Sequence, residues 1–161
     1  MNKKSLLNQL IELTKAEIER AQNAFKVSQN DAIEAEGAMI SRYDTFKEEA
    51  QYLSDAQRIR ILKLETGLVS LRAIELDESA LRKTTTVSVG SIVLLDDGEV
   101  SKHYFISPFG GGNQISLDGA DILVISQESP IAASILGKEI DEEVAINIAG
   151  KDKILFIEKI L

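Results

Sequence analysis

Six carboxylates stand between residues 31 and 49: Asp31, Glu34, Glu36, Asp44, Glu48 and Glu49. They face only two bases in that stretch, Arg42 and Lys47. Such a segment can act as an acidic probe, or it can be the solvated end of a helical element. Asp31 and Glu34 have Asp-x-x-Glu spacing, and Ser41 and Asp44 stand the same distance apart. Elsewhere the inventory of reactive groups is thin. His103 is the only histidine, in a predicted strand, and a lone histidine makes no metal cluster. With no cysteine there is no disulfide framework and no thiolate zinc site. Gly110-Gly111-Gly112 lacks the Lys-Ser/Thr of a phosphate loop and reads as a flexible hairpin connection.

The bulk properties restrict the class further. A chain of 161 residues allows one ordinary domain or two small ones. Hydrophobic residues make up 44% and charged residues 27%, near the average for a folded soluble protein. No apolar run approaches the roughly 20 residues that span a bilayer. The basic start, Met1-Asn2-Lys3-Lys4, leads into a mixed pattern, so a signal peptide is not expected and a cytoplasmic location is. The net charge is −8, shared between residues 1–80 at −3 and residues 81–161 at −5. Neither half has the basic excess that binds a nucleic-acid backbone strongly. A protein partner with a basic surface fits better.

Two kinds of periodicity divide the chain into an α+β arrangement. Leu7, Ile11, Thr14, Ile18, Ala21, Phe25, Ser28 and Ala32 form a heptad seam. A second seam is expected through Tyr52, Ala56, Ile59, Leu62, Thr66, Val69, Ala73 and Leu76. With Gly37 as a helix stop, the reading is an antiparallel coiled-coil hairpin over residues 1–83. Its turn falls in 36–42, within a tip near 36–45. Arms of roughly 35 residues at about 1.5 Å per residue reach about 50 Å, so the hairpin is expected to project. Residues 84–161 then read as a small sheet with one short helix. Strands are expected around Val87–Leu95, Lys102–Ser107, Ile122–Ser126, Val144–Ile148 and Ile154–Ile160. Ser129 is the expected N-cap and Pro130 the first residue of the short helix, which ends at Gly137.

The stretch from Ile125 to Gly150 resembles the C-terminal domain of the Gre family of bacterial transcript-cleavage factors. The resemblance rests on Ile125-Ser126, Ser129-Pro130-Ile131-Ala132 and Gly137-Lys138-Glu139, with Val144 and Gly150 at the expected spacing. Val89-Gly90-Ser91-Ile92-Val93 and Tyr104-Phe105-Ile106 match the family's first two strands. Asp118-Gly119-Ala120-Asp121 and the upstream glycines look more like the family's shorter relatives. The resemblance implies a coiled-coil hairpin followed by an FKBP-like domain. The partner it implies is RNA polymerase, with nucleic acid met only inside the transcription complex. No membrane is implied, and a monomer is expected.

In that family the hairpin enters the polymerase's secondary channel, and the polymerase itself cleaves RNA with its own magnesium. Tip carboxylates help to hold a second magnesium, so the factor is not an enzyme and carries no cofactor of its own. The preferred register puts Ser41 at the family's Asp position and Asp44 at its Glu position, in Ser41-Arg42-Tyr43-Asp44, with Glu36, Glu48 and Glu49 nearby. The rival register uses Asp31 and Glu34. Magnesium favours oxygen ligands, commonly one or two carboxylates plus waters. Asp44 could reach such an ion, whereas Ser41 offers only a neutral oxygen. The resemblance also makes Ser129, Pro130, Ile131, Ala132, Gly137 and Lys138 the expected polymerase-binding surface, although a helix cap and core contact would explain Ser129–Ala132 equally. Ala133 stands where the family often has a base. Arg58, Arg60 and Lys63 could contact RNA or polymerase, or pair with nearby acids. Two departures from cleavage stay open: a silent competitor for the channel, as Ser41 hints, and a different class altogether. That class comprises an FKBP-like prolyl isomerase or chaperone, which needs an aromatic pocket, and a coiled-coil scaffold.

Overall fold

The computed structural model describes residues 2–34, 40–77, 84–148 and 150–161, with side-chain detail for all of these except 28–34, 40–51 and 148. Two long helices come first, α1 (Lys3–Glu34) and α2 (Ile40–Leu76). Then follow β1 (Ile92–Asp96), β2 (Ser101–Ser107), β3 (Gln114–Leu117), β4 (Ala120–Ser126), α3 (Pro130–Ile135), β5 (Glu143–Ile148) and β6 (Lys151–Ile160). By packing, the chain separates into one unit of residues 11–68 and another of 1–10 with 69–161. Among the described residues no helix is long and apolar enough to cross a membrane.

In the unit of residues 11–68, the first seam packs as its spacing requires: Ile11, Thr14, Ile18 and Ala21 are buried. The second seam needs a correction. Tyr52, Ile59 and Leu62 are 80%, 55% and 62% exposed, while Ser54 and Leu64 are buried. The buried face of α2 therefore lies on the side opposite the expected stripe. The reason is that α2 carries two stripes at helical spacing, and the inward one, Ser54, Gln57, Ile61 and Leu64, begins with two polar residues that hide it. The helices run antiparallel here: Glu17 bonds Arg60 at 3.0 Å, while Phe25, further along α1, sits under Arg58, earlier in α2.

In the other unit, six strands form one sheet in the order β3-β4-β2-β1-β6-β5. The β2–β4 pair is parallel and the remaining pairs are antiparallel. Val93, Leu95, Ile106, Ile125, Ile157 and Ile160 form a core with Ala132 and Ile135 of α3. Side chains alternate across a strand, so Ile92, Phe105, Ile122 and Val124 belong to the other face, and they too are buried. Burial on both faces explains the near-continuous apolar runs of β1, β2 and β4. Leu6, Leu7, Leu10 and Leu71, from the helix ends belonging to this unit, are buried as well. Gly90, at φ +90°, lies close to Ile74: a Cβ there would come within 3.2 Å of the Ile74 Cγ2.

Four strands and the helix lie where the sequence places them, and two details differ. Strand β1 starts at Ile92; Val87 precedes it and belongs to a short strap instead. Thr86 bridges to Glu139, the Val87 N–H donates to the Lys138 carbonyl at 2.8 Å, and the Gly137 N–H donates to the Val87 carbonyl at 2.9 Å. The second difference is β3, absent from the expectation because Gln114-Ile115-Ser116-Leu117 is only four residues long.

Candidate functional site

The tip residues come first. Ser41 and Asp44 lie within the first five residues of α2, and Arg42, Tyr43, Glu48 and Glu49 lie on the same helix. At that spacing Ser41 and Asp44 share one helical face. Asp31 and Glu34 stand at the end of α1. Glu36 lies outside the described residues, as do the side chains of all the other tip positions.

The second candidate surface is described in full. It is an open groove of about 490 Å³ lined by Pro108–Gly112, Ile125, Ser126, Glu128 and Ser129. Because β2 and β4 are parallel, the segment after β2 must cross the end of β4 before descending as β3. It is therefore a crossover, which corrects the expectation of a flexible hairpin connection. Gly111 presses on β4: a Cβ there would stand 2.9 Å from the Ser126 nitrogen. The Gly112 N–H donates to the Val124 carbonyl, and the Val124 N–H donates to the Asn113 carbonyl, both at 2.8 Å. Buried Ser107 fixes the near side, its Oγ donating to the Phe109 carbonyl and accepting from the Phe109 N–H.

On the far side of the groove, α3 begins. Ser129 has extended backbone, and its Oγ accepts from the Ala132 N–H at 3.2 Å; Pro130 opens the helix, where a missing N–H costs nothing. Ala132 and Ile135 point into the core, Ile131 is half-buried, and Pro130 and Ala133 are exposed. The Ser-Pro-Ile-Ala run thus serves both as cap and core and as surface. Gly137 leaves the helix at φ +80°. Lys138 is engaged with Glu142, Nζ to Oε2 at 3.1 Å, and the other Glu142 oxygen accepts from the Glu139 N–H at 2.8 Å. Those bonds, the backbone one first, hold the Glu142 carboxyl below its usual range. Sequence reasoning named Ser129–Ala132, Gly137 and Lys138, and these lie together around α3. It does not single out Phe109 and Gly111, which line the opposite wall, or buried Ser107, which holds Phe109 in place. The signal for them is the glycine run itself, which by sequence reads as a flexible connection.

Of the remaining candidates, Arg60 pairs with Glu17 and Arg58 sits 5.4 Å from the Phe25 ring centroid, so both are tied to α1; Lys63 is exposed. His103 is half-buried in β2, and burial lowers its pKa. Among the described residues no group of three or more His, Asp or Glu is placed to hold a metal ion.

Long paired helices followed by a mixed sheet with one capped short helix define a two-part α+β protein of the helical-hairpin-plus-sheet class. No protein-family model matches the chain. Transcription elongation factor GreA of Bacillus velezensis is 31% identical over 120 residues, which is 74% of this chain and 69% of that protein. The protein of the same name from Bacillus subtilis is 32% identical over 124 residues, with the same coverage. Among solved structures, GreA factor homolog 1 of Thermus thermophilus aligns over all of this chain and 96% of its own, at 18% identity and a TM-score of 0.38. On the strength of the two Bacillus relatives, the chain belongs to the GreA family of transcription elongation factors.

Proposed function

We propose that this protein binds RNA polymerase in the cytoplasm and regulates elongation by placing its helical hairpin in the polymerase's secondary channel. The observation that carries this reading is the kinship with GreA, 31% identity over 120 residues. Residues 1–83 are the inserting arm, and residues 84–161 supply affinity through the groove and α3. The protein has no catalytic residue of its own; any RNA cleavage is the polymerase's. The magnesium involved would be the polymerase's, and Asp44 is the residue of this chain that would lend it a carboxylate. Ser41, one turn away, adds a neutral oxygen where a second charge would hold the ion better. Ser41 therefore favours a second reading, in which the hairpin occupies the channel without promoting cleavage.

Stalled, backtracked polymerase complexes separate the two. Shortening of the RNA that Asp44→Ala abolishes establishes the stimulating factor. Unshortened RNA, together with a block of a cleavage-competent factor, establishes the competitor. If neither effect occurs and no binding to polymerase is measured, the polymerase reading is wrong.

A further inference from the structure

The sheet ends at β3 on one side and at β5 on the other. Edge strands are usually blunted by being short or by carrying lysine or proline. Strand β3 is four residues long, whereas β5 is six residues long and holds neither lysine nor proline. The direction of its backbone groups follows from its pairing. Just ahead of the strand, the Ile157 N–H donates to the Glu142 carbonyl at 3.0 Å, and the Asp141 N–H donates to the Ile157 carbonyl at 2.9 Å. Bonded pairs in an antiparallel ladder recur at every second residue, so Val144 and Ile146 turn their backbone groups to Leu155 and Lys153 of β6. The N–H and C=O groups of Glu143, Ala145 and Asn147 turn outward and have no partner among the described residues. All three residues are exposed. The side chains beside this edge are distinctive. Val144 and Ile146 enter the core, so Glu143 and Ala145 stand on the opposite face of the sheet. There Glu143 and Asp96 flank half-buried Phe156, each in direct register with it from a neighbouring strand. Ala145 is in register with Ile154, which is 60% exposed.

We propose that β5 is a docking edge for an extended segment of another protein, one that sets a large apolar side chain beside Ala145 and a lysine or arginine beside Glu143. The outward row of backbone donors and acceptors selects an extended chain, because only a strand meets them in register. The carboxylates at Glu143 and Asp96 select a base, and the Phe156 ring between them offers that base a face to lie on. The small Ala145 leaves room for an apolar side chain against Ile154. A second copy of this chain fits less well. In either direction β5 offers no base to Glu143, and each copy carries a net charge of −8.

This edge is separate from the groove, which lies beside β4, with β2, β1 and β6 between. A segment added at β5 would extend the sheet and leave the groove and α3 uncovered. The binding is measured without polymerase, so its failure and the failure of the polymerase reading are distinguishable.

The probe is the peptide acetyl-Thr-Thr-Val-Leu-Val-Lys-Lys-amide, titrated into the isotope-labelled full chain up to about 1 mM, which half-saturates a site with a Kd of about 1 mM. Laid antiparallel to β5, it puts its leucine opposite Ala145 and its first lysine opposite Glu143. Saturable amide shifts are expected at Glu143, Ala145, Asn147, Ile154 and Phe156. The same peptide ending in Glu-Glu is expected to bind about tenfold more weakly, because like charges then face each other. Glu143→Lys is expected to reverse that preference. N-methylation of the leucine removes the N–H that donates to the Ala145 carbonyl and should abolish binding, whereas N-methylation of the valine after it, whose N–H points away, should not. Absence of shifts at β5, equal binding of the two N-methyl peptides, or a charge preference that Glu143→Lys leaves unchanged overturns the proposal. So does a concentration-dependent dimer of the chain alone that Ala145→Pro abolishes, which would assign the edge to a second copy; proline is tolerated on an edge strand where the N–H faces outward.

Discussion

The glycine crossover makes a sharp steric prediction. Gly111→Ala would place a methyl 2.9 Å from the Ser126 nitrogen and 3.3 Å from both the Ile125 Cα and the Val124 carbonyl oxygen. All three are backbone atoms of β4 and its exit, so no side chain can swing aside. The loop must lift, and two bonds lie in its path: Gly112 N–H to Val124, and Val124 N–H to Asn113. Forcing extra volume into a packed site costs about 1–3 kcal/mol, and each backbone bond lost costs about 1 kcal/mol. With one or both bonds weakened, the expected loss is roughly 2–4 kcal/mol. For a urea slope of about 2 kcal/mol/M, that moves the midpoint of the sheet unit down by about 1–2 M. Gly110→Ala is the control: nothing lies within 4 Å of its Cβ, but φ is +66°, so only about 1–2 kcal/mol of left-handed strain applies. Gly110→Asn should recover part of that, and no polar substitution should rescue position 111. An unchanged midpoint for Gly111→Ala, or the Asn behaviour appearing at 111, would refute the steric argument.

Three further outcomes are expected. Among the described residues the Gln57 Oε1 is buried without a hydrogen-bond partner, so Gln57→Leu should stabilise the helical unit by about 1–2 kcal/mol; a lower melting temperature would contradict this. Ser129→Ala removes the cap on Ala132 and should cost about 1 kcal/mol, while Ser129→Asp, another good cap, should cost little. Equal melting of the two variants would show that the cap is idle. The Asp97 carboxyl accepts from Lys153 and from the backbone of Val100 and Glu99, which holds its pKa at about 2, below its ordinary 3.8. A lowered carboxylate pKa contributes stability that is complete above 3.8 and is lost as pH falls toward 2. The stability gap between wild type and Asp97→Asn should therefore close between about pH 4 and pH 2, and a gap constant over that range would count against the pairing.

The parts of this fold that show in the sequence are those governed by local rules. Ile11 to Ala21 reads correctly because the heptad stripe is the buried one within residues 11–68. Ser129-Pro130 marks α3 because a cap and a ring-locked φ are chemical signals in themselves. The strands around Ile92, Phe105, Val124 and Ile157 show as apolar runs. The orientation of α2 does not, because its buried stripe includes Ser54 and Gln57 while its outer stripe holds Tyr52, Ile59 and Leu62. The buried stripe also holds Ile61, Leu64 and Leu71, so two comparable stripes compete and periodicity does not choose between them. Strand β3 escapes notice with only Ile115 and Leu117 to mark it. The parallel β2–β4 pairing is a non-local choice that no window of the sequence contains, and with it goes the groove wall at Phe109 and Gly111. For the tip, spacing alone leaves Ser41 with Asp44 and Asp31 with Glu34 on an equal footing.

The strap at Thr86–Val87 gives the α3 surface a remote reporter. The Val87 N–H donates to the Lys138 carbonyl and the Val87 carbonyl accepts from the Gly137 N–H, on the segment that leaves the helix of the proposed docking surface. For the Val87 amide to exchange its proton with solvent, the segment leaving α3 must open with it. A partner that seats on α3 would therefore slow deuterium uptake at Val87, a residue it never touches. The same partner would leave unchanged the exchange at the turn between β5 and β6, where Gly150 sits. Docking at one end of the sheet would thus be readable as lengthened proton lifetimes on the chain that leads into it.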